Sequence, residues 1–127
     1  MADGSAAEAA YQRALEEIER VKAEGGQELW LTGFHDLDRI PPEVTDINGL
    51  HWLTLDGSEV SDLTPIAAAP ELRHLYFSAT KVTDLSPLRY MASLCSVVFY
   101  KTDISDLRPL LDLPLLGRSG APGLSFS

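Results

Sequence analysis

The pentapeptide Asp-Leu-x-Pro-apolar occurs three times at a spacing of 22 residues: Asp62-Leu63-Thr64-Pro65-Ile66, Asp84-Leu85-Ser86-Pro87-Leu88 and Asp106-Leu107-Arg108-Pro109-Leu110. A fixed period in this range marks a solenoid, because a unit so short cannot bury its apolar face alone and must stack on its neighbours. The register extends well beyond the pentapeptide. Leu50, Leu72, Leu94 and Leu116 form one column, Leu53, Leu75 and Val97 a second, and Leu55, Phe77 and Phe99 a third. Ser58, Thr80 and Thr102 follow, then Val60, Val82 and Ile104, then Ala69, Met91 and Leu113.

Each column has a physical reason. The L-x-L segment reads as a short strand with alternate side chains facing in, so stacked copies pair in parallel and bury the Leu/Phe columns. The Ser/Thr hydroxyls are placed to bond neighbouring backbone where the chain turns. Each Asp is expected to N-cap a short 3₁₀ or helical segment, with Pro in its first turn where an N–H has no intrahelical partner. That capping role explains the three aligned carboxylates better than a calcium ladder does.

The unit L-x-x-L-x-L-x-x-S/T-x-V-x-D-L-x-P-L-x-x-apolar runs without a gap over residues 50 to 116. It resembles the leucine-rich repeat, in the 22-residue class of internalin-like bacterial proteins. The resemblance implies an α/β chain. The expected fold is a short right-handed leucine-rich repeat solenoid with a parallel β-sheet on the concave face, 3₁₀ or turn segments on the convex face, and an N-terminal capping α-helix. It also implies protein–protein interaction without catalysis.

The ends of the chain are read separately. Residues 5–24 are expected as one amphipathic helix covering the first core layer. Ser5-Ala6-Ala7-Glu8 matches a capping box, Tyr11, Leu15, Ile18 and Val21 form an apolar stripe, and Gly25-Gly26 is the stop. A free partner-binding helix is the alternative. Residues 27–49 form a divergent first repeat with Leu29-Trp30-Leu31 as its strand; Leu37, Ile40, Val44 and Ile47 continue the core and Pro41-Pro42 stands at the turn. It resembles the longer leucine-rich class, with an apparent extra residue between Phe34 and Leu37. Residues 50–71, 72–93 and 94–115 are regular repeats and 116–127 an irregular tail. In that tail Ser119 and Ala121 stand where apolar residues belong, and Leu124-Ser125-Phe126 resembles one more strand. Either the tail adds a weak final strand or the last sheet edge stays open, and an open edge invites pairing with another chain.

Composition narrows the function. The 127 residues suit a single domain. The formal charge of −9 is spread along the chain without a basic stripe, so neither nucleic acid nor an anionic membrane surface is an expected partner, and a basic partner gains on-rate. No stretch of about 18 apolar residues and no basic-then-apolar leader occurs, and Cys95 is the single cysteine, which together suit a reducing cytoplasm, with export by a route needing no cleaved signal as the alternative. No Cys-x-x-Cys, HExxH, nucleophile elbow or phosphate loop is present, so no enzyme, cofactor or metal site is expected. His35-Asp36-Leu37-Asp38 is metal-like in composition only. Cys95 follows a core Leu where earlier repeats have His51 and Arg73, which suggests partial exposure.

Function therefore falls to the surface. Alternation along the strands sends Trp30, Thr54, Tyr76 and Val98 outward as one row. Glu28, Trp52, His74 and Ser96 flank it on one side, with Thr32, Asp56, Ser78 and Tyr100 on the other. Both tryptophans and two of the four tyrosines fall in this set. Aromatics have high strand propensity, which is the ordinary explanation, but they are also the residues that anchor protein interfaces. The candidate contact residues are Trp30, Trp52, Thr54, Asp56, His74, Tyr76, Val98 and Tyr100. About four strands at ~4.8 Å give a face about 15–20 Å across, which suits a peptide, a loop or a domain edge. The alternative is a structural protein that forms a homodimer or a longer solenoid through its C-terminal edge.

Overall fold

The computed structural model describes residues 2–111, 113–114 and 124–125. Helix α1 spans Ala2–Glu24. Five parallel strands follow in sequence order, β1 Glu28–Trp30, β2 Trp52–Thr54, β3 His74–Tyr76, β4 Ser96–Val98 and β5 Leu124–Ser125, and each pairs with the next. The 3₁₀ turns Pro42–Asp46, Thr64–Ala68, Ser86–Leu88 and Arg108–Leu110 lie in the return segments. This is the expected short leucine-rich repeat solenoid.

The 22-residue period sets the register of the central strands. Leu53 pairs with Leu75 and Leu75 with Val97, all three fully buried. Behind them Leu55 and Phe77 are also fully buried, and the Phe77 and Phe99 rings stack at 5.5 Å with an interplanar angle of 8°. Stacked identical columns fill a dry core in which each apolar side chain meets its own counterpart one repeat away.

The Ser/Thr column does bond the turning backbone. Thr80 Oγ1 donates to the Phe77 carbonyl at 2.7 Å and Thr102 Oγ1 to the Phe99 carbonyl at 3.0 Å. The residue just before this column is left-handed in every repeat: Gly33 (φ 87°), Gly57 (φ 81°), Ala79 (φ 57°) and Lys101 (φ 57°). The chain must turn sharply out of the strand there, so glycine is favoured and Ala79 and Lys101 hold a strained backbone.

The Asp column corrects the expectation in detail. Asp62 is not the N-cap; Leu63 is. Asp62 Oδ1 instead accepts the backbone N–H of Thr64 at 2.9 Å and the Thr64 hydroxyl at 2.6 Å. Asp84 does the same with Ser86, and Asp106 takes the Arg108 N–H at 3.1 Å. These are Asx turns that lead into the 3₁₀ segments one residue early. In each of the three, Pro stands in the first turn of the 3₁₀ segment.

The first repeat carries two extra residues. Glu28 pairs with Trp52, 24 positions on, where the regular step is 22. One extra residue falls between Gly33 and Leu37, because the Leu37 carbonyl takes the Glu59 N–H as the Val60 carbonyl takes that of Lys81. The second falls between Leu37 and the Pro41 cap, a place the repeat pattern does not single out. At the other end the step lengthens again, since Val97 pairs with Leu124. Of the two alternatives for the tail, the added final strand is the one found, as β5 beside β4. Leu116, Ser119, Ala121 and Phe126 lie outside the described residues.

Helix α1 covers the first core layer, packing on β1 and the first 3₁₀ turn. Gly25 and Gly26 close it with a Schellman pattern: Gly26 N–H to the Val21 carbonyl at 2.9 Å, Gly25 N–H to that of Lys22 at 3.1 Å. Two expectations change. The helix begins at Ala2, so Ser5 lies inside it, and the Glu8 carboxylate binds Gln12 and Arg39 rather than forming a capping box. The buried stripe is Ala10, Ala14, Ile18 and Val21, with Tyr11 and Leu15 only partly buried at its margin. Alanines at its centre let the helix backbone lie close to the solenoid. Arg39 of the first repeat clamps the margin, its guanidinium 4.0 Å from the Tyr11 ring centroid and 3.2 Å from Glu8.

Candidate functional site

Parallel pairing brings the outward aromatics into one stack across β1, β2 and β3. Trp30 and Trp52 rings stack with centroids 5.4 Å apart, and Trp52 and Tyr76 at 5.2 Å with an interplanar angle of 15°. The His74 ring tilts against Trp52 at 4.9 Å. Strand spacing of about 4.8 Å makes such stacking the natural outcome for large flat side chains on adjacent strands. Each offset-stacked pair contributes about 0.5–1.5 kcal/mol beyond burial, so the stack supports the sheet as well as presenting a surface.

Polar groups fix the rings. Trp52 Nε1–H donates to Thr54 Oγ1 at 2.9 Å, which lays the indole along its own strand. Trp30 Nε1–H donates to Glu28 Oε1 at 3.3 Å. His74 Nδ1 and Ser96 Oγ lie 2.8 Å apart. Burial pushes the His74 pKa below the ordinary 6.5, and the neighbouring His51 and Arg73 push the same way against Glu28. His74 is thus a neutral ring at neutral pH.

The candidates divide by exposure. Trp30 is 49 % exposed and Tyr100 44 %, while Trp52, His74 and Tyr76 are half-buried. Thr54 and Val98, expected to point outward as contacts, are only 3 % and 7 % exposed. Thr54 lies under the Trp52 indole that bonds it, and Val98 pairs in register with Tyr76. Asp56 has a different task from contact. Its Oδ1 accepts the Ser78 N–H at 2.7 Å, and Ser78 Oγ in turn accepts the Tyr100 N–H at 2.8 Å. This row of side chains continues the strand ladder past the ends of β2, β3 and β4. Sequence alternation gave the direction of these residues but not what lies over them.

Other chemistry is sparse. Among the described residues, no group of three or more His, Cys, Asp or Glu side chains is placed to hold a metal ion. Cys95 is buried at 5 % exposure rather than partly exposed, its Sγ 3.4 Å from the Ser93 carbonyl. Among the described residues no helix is long and apolar enough to cross a membrane. Glu28 and His51, with Arg20, Glu24 and Gln27, line a cleft of about 400 Å³ where α1 meets β1.

Among family models none matches this chain, and no curated protein does. Solved structures do. An internalin (inlF) from Listeria monocytogenes superposes with a TM-score of 0.67 at 24% identity, covering 77% of this chain and 32% of its own. Internalin C2 from the same organism superposes with a TM-score of 0.61 at 19% identity, covering 84% of this chain and 54% of its own. The chain thus spans about a third of the one and about half of the other. At these identities the likeness is one of fold, and the fold is that of the leucine-rich repeat solenoid of internalins.

Proposed function

We propose that this chain is a non-catalytic binding module whose ligand is a protein or peptide, held on the aromatic face of the sheet. The observation that supports this reading most is the Trp30–Trp52–Tyr76 stack with Tyr100 beside it. Large rigid aromatics that stay partly exposed, on a scaffold set by a dry core, combine contact area with little entropy to lose on binding. The internalin fold is consistent with it, since a solenoid acts through its exposed sheet. The contact set is best drawn as Trp30, Trp52, His74, Tyr76 and Tyr100.

The test is affinity purification with mass spectrometry, comparing the wild type with the Trp52→Ala/Tyr76→Ala double variant. Loss of two stacked pairs costs about 1–3 kcal/mol, so a thermal melt must first show that the variant is folded. A folded double variant that recovers the same proteins in the same yield overturns the reading.

A second reading is assembly through β5, which ends the sheet. Its outer backbone edge could pair with another chain. Light scattering after size exclusion decides it, because a strict monomer at high concentration rules it out.

A further inference from the structure

The aromatic stack has two unlike ends. Trp52 has a ring on each side, Trp30 and Tyr76. Trp30, on the first strand, is 49 % exposed, and among the described residues its ring partner is Trp52. About half of the Trp30 surface thus stays exposed beyond its stacking on Trp52. Beside it stands Glu28, half exposed, with Oε1 on the Trp30 N–H at 3.3 Å and Oε2 3.9 Å from His51 Nε2.

The formal charge on the outward rows has one sign. Across the three outward rows the charged residues are Glu28 and Asp56, both acidic, and His74 is held neutral. The nearby Arg20 is already bonded to Glu17 and Glu24. Arg73 flanks the face two strands from Glu28, about 10 Å away by strand spacing. The molecule also uses the matching chemistry elsewhere: Arg39 lies over the Tyr11 ring at 4.0 Å while its guanidinium meets Glu8 at 3.2 Å.

Building on the aromatic-face reading, we propose that the exposed indole surface of Trp30 together with Glu28 forms a subsite for an arginine side chain of the bound peptide. A guanidinium is planar and weakly hydrated, so it stacks on an indole and still presents its fork of donors to a carboxylate. Lysine would satisfy the charge without the stacking plane, and citrulline the plane without the charge.

The experiment uses the full chain and three peptides, acetyl-Gly-Arg-Gly-amide and its lysine and citrulline counterparts. Tryptophan Nε1–H resonances are followed by NMR. The arginine peptide should shift the Trp30 indole signal in saturable fashion. The lysine peptide should bind more weakly and citrulline not at all. Glu28→Gln, a change at a half-exposed side chain, should weaken arginine binding about fivefold. Citrulline binding equal to arginine, or arginine binding unchanged in Glu28→Gln, overturns the subsite. If the Trp52→Ala/Tyr76→Ala variant loses its captured protein while Glu28→Gln keeps it at full affinity, the aromatic face stands and the arginine subsite falls.

Discussion

Asp56 Oδ1 accepts the backbone N–H of Ser78 at 2.7 Å, one repeat further along the same row. A carboxylate expected to face a partner thus completes the sheet ladder. Burial raises its pKa above the ordinary 3.8, with the Ser78 N–H opposing. A raised folded value means the native state holds the proton more tightly, so Asp56 contributes most below 3.8 and less as pH rises through its folded value. Asp56→Asn keeps a carbonyl oxygen for the Ser78 N–H and removes the charge. It should equal or exceed the wild type in urea stability at neutral pH, the gap closing on acidification. Asp56→Ala leaves that N–H unpaired and should lose about 1 kcal/mol.

The Asx turns carry the opposite sign. Asp62 and Asp84 have pKa values lowered by the hydroxyls of Thr64 and Ser86 and by the N–H groups of the same residues. Asp106 is lowered to about 2, first by the Arg108 side chain. Such groups stabilise the fold above the ordinary value of 3.8, and that stability is lost as pH falls through the folded value. Three turns of this sign oppose one Asp56. The melting temperature should therefore drop between about pH 4 and about pH 2. Asp106→Asn, which still accepts the Arg108 N–H but does not titrate, should flatten the acid end of the profile.

The left-handed column offers a backbone test. Ala79 and Lys101 hold φ 57° where Gly33 and Gly57 hold φ 87° and 81°. Left-handed backbone costs a residue with a side chain about 1–2 kcal/mol, against about 0.5–1 kcal/mol of extra unfolded-state freedom for glycine. Ala79→Gly should thus stabilise by about 0.5–1 kcal/mol, as should Lys101→Gly. Gly57→Ala should destabilise by about 1 kcal/mol, since a Cβ there meets its nearest atom at 3.9 Å and only the backbone objects. Chemical denaturation of the three variants checks the column.

The parts legible in the sequence were those that repeat. The 22-residue period gave the pairing of Leu53, Leu75 and Val97 and the turn at each Asp-Leu-x-Pro, because identical columns must stack. Parts set by a single event were not legible. The second extra residue before Pro41 and the long step to Leu124 have no periodic counterpart to reveal them. Bulky residues dominate a periodicity and put Tyr11 and Leu15 on the helix stripe, whereas close packing puts Ala10 and Ala14 innermost. At the candidate site, alternation found the aromatic rows. It missed that Trp52 lies over Thr54 and that Asp56 is spent on Ser78, since both depend on side-chain contacts between neighbours.

Ala10 and Ala14 are fully buried against the first repeat. A larger side chain there must lift the helix from β1 and the first 3₁₀ turn or force its neighbours off their rotamers. Ala14→Leu should cost about 1–3 kcal/mol, although leucine nearly matches alanine in helix propensity. Leu75→Ala, which opens a cavity in the central column, should cost about 2–5 kcal/mol. Both should lower the urea midpoint. Helix signal lost before the global transition in Ala14→Leu alone would show that α1 can detach while the repeats persist.

Cys95 gives a chemical readout of the same core. Its counterparts in the two preceding repeats are the polar His51 and Arg73, a pattern that suggests partial exposure. The structure buries it to 5 % exposure between Leu94 and Ser96, with Sγ 3.4 Å from the Ser93 carbonyl. A buried thiol reacts only when its surroundings open. Ellman's reagent should therefore label the native chain at least about a hundredfold more slowly than the chain in denaturant, at a rate set by opening of β4. Leu75→Ala should speed labelling by weakening the strand next to it, and Glu28→Gln, at the far end of the sheet, should leave it unchanged. Equal labelling of native and unfolded chain would mean that the β4 layer is open in solution.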